Sequence, residues 1–179
     1  KIAVATGVYF VPNVVNPALL ARAHNRPRVV TREPLTADTD ILTRRWLLID
    51  VDPVRPSGIS ATEAEHEAAL QHVRDIVEAL ALDFGFPDPI HADSGNGAHL
   101  LYRVNLLSDD GGLVRRCLKA LAARFDRPHL AVDTAVHNLA RIWKLYGTWA
   151  CKGDHTTERP YRMARLLHVP PQLEIVTAG

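Results

Sequence analysis

The run Arg44 to Asp52, RRWLLIDVD, constrains this chain more than any other stretch. Trp46, Leu47, Leu48, Ile49 and Val51 form a short apolar segment biased toward β-branched and aromatic residues, and Pro53 closes it, so it reads as a buried strand. Side chains alternate across a strand, which puts Asp50 and Asp52 on one face. Two carboxylates side by side repel, and one is driven toward protonation unless a positive charge lies between them. A divalent cation keeps both ionised, and an all-oxygen ligand set on a rigid strand suits Mg²⁺ or Mn²⁺. Taken alone, the motif reads equally well as a strand end whose aspartates cap the turn at Pro53.

With 179 residues, 47% of them hydrophobic, the chain can bury one core, and it reads as a single domain, 1–179. A net charge of +1 means that any surface for nucleic acid must be local. Cys117 and Cys151 are the two cysteines and form no C-x-x-C, which argues against a disulfide scaffold or structural zinc and fits a reducing cytoplasm. No apolar run is long enough to span a membrane and no signal peptide is visible. The chain opens at Lys1, without a Met, and passes straight into a strand-like run, so a domain excised from a longer protein is expected.

Ile2 to Val11 reads as a strand closed by Pro12 and Asn13, and Pro17 to His24 as a helix with Asn16 as its cap. Asn25 to Pro34, carrying Arg26, Arg28 and Arg32, is expected as a basic loop or edge strand. A long helix is expected over about 61–82, with Leu70, Val73, Val77, Leu80 and Ala81 as its apolar stripe and Gly85 ending it. Pro89 to Arg103 reads as strand, tight Gly-rich turn, strand. A second helix follows over about 112–125 with Leu113, Leu118 and Leu121 inward. Leu130 to Asp133 is again a short apolar run ending in a carboxylate. Trp143, Tyr146 and Trp149 read as core or sheet face, and Arg159, Arg162 and Arg165 either as a track for template phosphates or as solvated surface.

Three motifs carry the chemistry: IDVD ending at Asp52, SGNGAH from Ser94 to His99, and AVD ending at Asp133. A third carboxylate from a neighbouring strand is what two-metal phosphoryl transfer requires. The Gly-rich turn would let backbone N–H groups approach a phosphate, and His99 could donate to a phosphate oxygen. Lys144 and Lys152 would neutralise a triphosphate. Each motif also has a plain structural reading: a strand-end cap for Asp133, a core histidine for His99, an ordinary hairpin for Ser94 to Gly97.

In this order the motifs resemble the archaeo-eukaryotic primase superfamily, and more narrowly the primase-polymerase domains of phages, plasmids, mobile elements and CRISPR-associated proteins. Behind hD-x-D, S-G-x-G-x-H and hD come N-x-A-R-I-x-K-L-x-G-T-x-x-x-K-G and R-P-x-R, and the resemblance runs from about Gly7 to Leu167. It implies an α/β (α+β) catalytic domain of two lobes, with an RRM-like mixed or antiparallel sheet flanked by helices and the active site in the cleft. The implied activity is template-dependent nucleotidyl transfer, as a DNA primase or DNA polymerase, from ribo- or deoxyribonucleoside triphosphates with two Mg²⁺ or Mn²⁺ ions. The implied partners are a DNA template and primer, with an accessory primase domain, a helicase or CRISPR adaptation proteins in the full-length chain. The family's acidic triad falls on Asp50, Asp52 and Asp133. Its nucleotide-binding motif falls on Ser94, Gly95, Asn96, Gly97 and His99, and its basic residues on Arg141, Lys144 and Lys152. Tyr9 takes the place of the aromatic residue beneath the sugar.

Three other readings stay open on the residues. A glycosyltransferase also uses D-x-D to hold a metal and a nucleoside diphosphate, but has no need of Asp133. A non-catalytic nucleic-acid-binding module would bind oligonucleotides without synthesis. A third is a relative that makes short oligonucleotides or signalling nucleotides without a template.

Overall fold

The structure is a computed structural model, and it describes residues 5–24, 26 and 35–177. In chain order the strands and helices are β1 (Tyr9–Phe10), β2 (Val14–Val15), β3 (Ile41–Pro53), α1 (Glu63–Phe84), β4 (Ile90–Asp93), β5 (Ala98–Leu107), α2 (Leu113–Phe125), β6 (Leu130–Val132), β7 (Trp143–Lys144), β8 (Trp149–Ala150), β9 (Arg162–Met163) and β10 (Arg165–His168). Single 3₁₀ segments lie at Pro17–Arg22, Asp38–Asp40 and Thr134–His137. The opening of the expected first strand, 1–4, and most of the basic segment 25–34 lie outside the described residues. Asn16 does cap the next segment, its Oδ1 accepting from Ala18 N at 3.0 Å, but that segment is 3₁₀ rather than α.

β3 is the centre of the main sheet. Its order is β10-β4-β5-β3-β2, with β6 joining β3 at the end opposite to β2, and every pairing is antiparallel. The run β3-α1-β4-β5-α2-β6, arranged in space as β4-β5-β3-β6, is a split β-α-β connectivity, and the chain is an α+β protein. A bulge interrupts the β3–β5 register between Arg44 and Trp46. Asn13 fills it: its Oδ1 accepts from Arg45 N at 2.9 Å while its Nδ2 donates to Leu139 O at 2.9 Å.

The helices follow from local chemistry. At the start of α1, Thr62 Oγ1 accepts from Glu65 N and Glu65 Oε2 accepts from Thr62 N, a reciprocal cap, and Gly85 ends the helix at φ +65°. The buried stripe of α1 is His66, Ala69, Val73, Ile76 and Leu80, one position round from the expected centre, with Leu70 and Val77 at its margin. In α2, Val114, Leu118, Leu121 and Phe125 point inward, and the expected Leu113 is exposed. Both helices cover the sheet face that carries Leu47, Ile49, Val51, Leu100 and Tyr102. Asp50, Asp52 and His99 alternate onto the other face. There, two short ribbons, β1 paired with β7 and β8 paired with β9, stand across a cleft from the sheet.

Candidate active site

The acidic residues meet because of register. Asp50 is paired with His99 on β5, and on the other side Val51 pairs with Val132 and Asp52 with Ala131. Continuing that register sets Asp133 opposite Asp50, and Asp133 N donates to Asp50 O at 2.8 Å. Directly opposed residues of antiparallel strands share a face. Asp133, Asp50 and His99 therefore form one row across β6, β3 and β5, with Asp52 two positions further along β3 on the same face. All four line one open cleft, together with Ser94, Asn96, Tyr9, Arg141, Lys144 and Lys152. The cleft thus gathers every singled-out site residue except Gly95 and Gly97.

The charge in this row is poorly compensated. Asp50 is four-fifths covered, and its Oδ1 has no hydrogen-bond partner among the described residues; His99 Nε2 is 3.5 Å away, too far for a good bond. Burial, and then the neighbouring charges of Asp52 and Asp133, push the Asp50 carboxyl well above its ordinary pKa against the pull of Lys152 and Arg141. An orphaned buried oxygen in a carboxylate triad is the chemistry of a divalent cation site, so the residues fit one. Among the described residues no three such side chains yet converge at coordinating distance. Asp133 Oδ1 accepts from Ala135 N at 2.7 Å, and Asp52 leans toward Arg55 (3.7 Å) and Lys152 (3.9 Å). Asp133 is thus also the cap of the 3₁₀ segment at 134–137, as its structural reading expected.

The Gly-rich turn works differently from the expectation. Its backbone N–H groups face inward: Gly95 N donates to Asp93 Oδ1 at 2.6 Å, and Asn96 N and Gly97 N donate to Ser94 Oγ at 3.3 and 2.8 Å. The Asn96 side-chain oxygen is likewise engaged, its Oδ1 accepting from Ala61 N at 2.8 Å. Ser94 can act outward, because its oxygen accepts twice and its own O–H proton remains to donate into the cleft. The glycines are explained by close approach. Gly95 sits at φ +91°, and a Cβ there would be 2.7 Å from Ala150 Cβ. At Gly97 a Cβ would collide with Val51 O and stand 2.6 Å from Asp52 Oδ1. Gly97→Ala is therefore expected to cost about 1–3 kcal/mol and to displace Asp52, measurable as a lowered urea midpoint at unchanged m-value; unaltered stability would refute this packing account.

His99 is buried and neutral: burial lowers its pKa to about 3. Its ring lies against Trp143 at 4.0 Å between centroids, and its Nδ1 is 2.9 Å from Tyr146 Oη. The cations differ in freedom. Lys152 is half exposed, and its 3.9 Å pairing with Asp52 is a weak surface contact. Lys144 is buried, donates to Trp149 O at 2.7 Å and sits 5.3 Å from the centre of the Tyr9 ring, its cross-strand partner. Arg141 Nη2 donates to Ala135 O.

Residues that sequence reasoning passed over hold the site in place. Asp93, fully buried, accepts from Gly95 N and from His66 Nε2 at 2.9 Å. Burial alone would raise its pKa, but these bonds and Arg165 hold it below the ordinary value. A buried His on α1 facing an Asp that precedes a Ser-Gly turn is a pairing visible only once α1 is laid on the sheet. Two of the tail arginines are structural rather than free for template phosphates. Arg159 clamps Glu65 (2.9 and 3.3 Å) and Ser60 O (2.7 Å), and Arg162 binds Glu63 and Ala61 O, each at 2.8 Å. Arg165 is the exposed one.

Comparison of the chain with protein-family models, with curated proteins and with solved structures finds no match. Among the described residues no helix is long and apolar enough to cross a membrane.

Proposed function

We propose that this chain is a primase-polymerase of the archaeo-eukaryotic primase type, a nucleotidyltransferase that extends or starts a strand on a DNA template from nucleoside triphosphates. The observation that carries this reading is the row Asp133, Asp50 and His99 on three adjacent strands, with Asp52 beside it and cationic side chains around the same cleft. The split β-α-β sheet, with two ribbons facing it across the cleft, supports a two-lobed, RRM-like catalytic domain.

Asp50, Asp52 and Asp133 would hold two Mg²⁺ or Mn²⁺ ions. When bound, such ions activate the attacking 3′-hydroxyl and offset charge on the α-phosphate and the leaving pyrophosphate. The chain's own groups bind and orient. Ser94 O–H and His99 Nε2–H donate to phosphate oxygens, and Lys152 and Arg141 bring positive charge to the triphosphate. Lys144, tied to Trp149 O, steadies the Tyr9 ring as a platform for the sugar. The reading carries with it a cytoplasmic setting and further domains in the longer protein: an accessory primase domain, a helicase or CRISPR adaptation proteins.

A D-x-D glycosyltransferase would leave Asp133 with only its capping bond to Ala135 N, and a non-catalytic module would leave the uncompensated charge of Asp50 unexplained. The deciding experiment measures primed extension and unprimed synthesis on a DNA template with ribo- and deoxyribonucleotides, in Mg²⁺, in Mn²⁺ and in chelator. The expected result is template-dictated incorporation that stops in chelator. Oligonucleotide binding with no synthesis in either metal would overturn the proposal in favour of a binding module.

A further inference from the structure

We infer that Tyr146, backed by Trp143, is a positioning residue that fixes His99 as the Nε2–H tautomer and aims that proton into the cleft. The inference deepens the nucleotidyl-transfer reading and rests on it for the identity of the acceptor, a phosphate oxygen of a nucleoside triphosphate. It follows from counting protons along one chain of hydrogen bonds. The indole Nε1–H of Trp143 can only donate, and it donates to Tyr146 Oη at 2.8 Å. Tyr146 Oη therefore spends an acceptor position on Trp143 and has one proton of its own to place. The partner within reach is His99 Nδ1, 2.9 Å away. Were Nδ1 protonated, Tyr146 would accept twice and its own proton would have no partner among the described residues in a largely buried setting, which is costly. Nδ1 is thus the acceptor, and in the neutral ring the proton sits on Nε2.

That proton has no good acceptor among the described residues, since Asp50 Oδ1 stands at 3.5 Å. The ring cannot readily turn to find another. Trp143 packs against it at 4.0 Å between centroids and 33° between planes, and Tyr146 meets it edge-on at 5.9 Å. Trp143 is itself almost wholly buried, so the stack is held from the core side. The result is a neutral N–H donor fixed in the row of carboxylates, a group that can meet an anionic phosphate without adding a further cation to those already lining the cleft.

The test is ring ¹⁵N NMR of selectively labelled wild type and Tyr146→Phe, which keeps the aromatic ring and removes the hydroxyl, together with the affinity of each for a non-hydrolysable deoxynucleoside triphosphate analogue in Mg²⁺. Wild-type His99 is expected to show a protonated Nε2 and an unprotonated Nδ1. In Tyr146→Phe the tautomers are expected to mix and analogue affinity to fall about tenfold, the loss of one oriented donor to an anion. A protonated Nδ1 in the wild type overturns the inference, and this measurement decides even if the variant does not fold. Unchanged tautomer and affinity in a folded Tyr146→Phe also overturn it. If the tautomers behave as expected but neither protein binds the analogue, the nucleotide reading fails while the control of His99 by Tyr146 stands.

Discussion

Replacing Asp50 and Asp52 together by alanine is expected to lower metal-dependent nucleotide incorporation by at least about 10³-fold, since the loss of even one preorganised stabiliser of transition-state charge typically costs about 10²–10³. The fold should survive. Both side chains face the cleft rather than the helix-covered core, and Asp50 Oδ1 makes no hydrogen bond that the substitution would break. Unchanged far-UV circular dichroism and a cooperative thermal transition would establish this, alongside a primer-extension assay in Mg²⁺ and Mn²⁺. Extension within tenfold of wild type by the folded double variant would sink the assignment. Asp133 needs a subtler pair of substitutions because its carboxylate does two things. Asp133→Ala removes both the charge and the cap on Ala135 N, adding a stability loss of about 1 kcal/mol. Asp133→Asn keeps an oxygen for the cap and loses the charge, so a comparable loss of activity in both separates the metal role from the structural one.

How much of this was legible beforehand depends on the range of the interaction that decides each feature. β3, α1, the strand-turn-strand and α2 could be read because their determinants are local: alternation, the Thr62 cap, Gly85 and the Ser94 turn. The gathering of Asp50, Asp52, Asp133, Ser94 and His99 in one cleft agreed with motif order, which sets strand order once the connectivity is a split β-α-β. What escaped is set by contacts between distant segments. The Gly-rich turn reads from sequence as room for a phosphate, whereas at Gly97 the nearest obstacle to a side chain is β3 itself. Arg159 and Arg162 read as a phosphate track or a solvated face because their partners, Glu65 and Glu63, lie about a hundred residues earlier. Tyr146 reads as core or sheet face because nothing in its neighbours announces that its hydroxyl ends on His99.

Asp50→Asn should inactivate the protein and yet make it more stable in the absence of divalent cations. Burial and the charges of Asp52 and Asp133 raise the pKa of Asp50 in the folded chain above its ordinary value near 3.8. The folded state then holds a proton that the unfolded chain releases, so stability falls as pH rises through the interval from the unfolded to the folded value, and the penalty is greater at neutral than at acid pH. Asparagine carries no charge to desolvate or repel. At pH 7 in chelator, Asp50→Asn is therefore expected to melt about 2–4 °C above wild type for each ~1 kcal/mol of penalty removed, and the gap should close as pH falls toward 4. Adding Mg²⁺ should reverse the order, because a cation stabilises the wild type by mass action and finds a weaker site in the variant. Calorimetry in chelator and in Mg²⁺ at both pH values reads all three stability expectations without any assay of synthesis. A variant less stable than wild type in chelator at pH 7 would mean that the Asp50 carboxylate is already compensated within the protein, and the argument that RRWLLIDVD is built around a missing positive charge would fall with it.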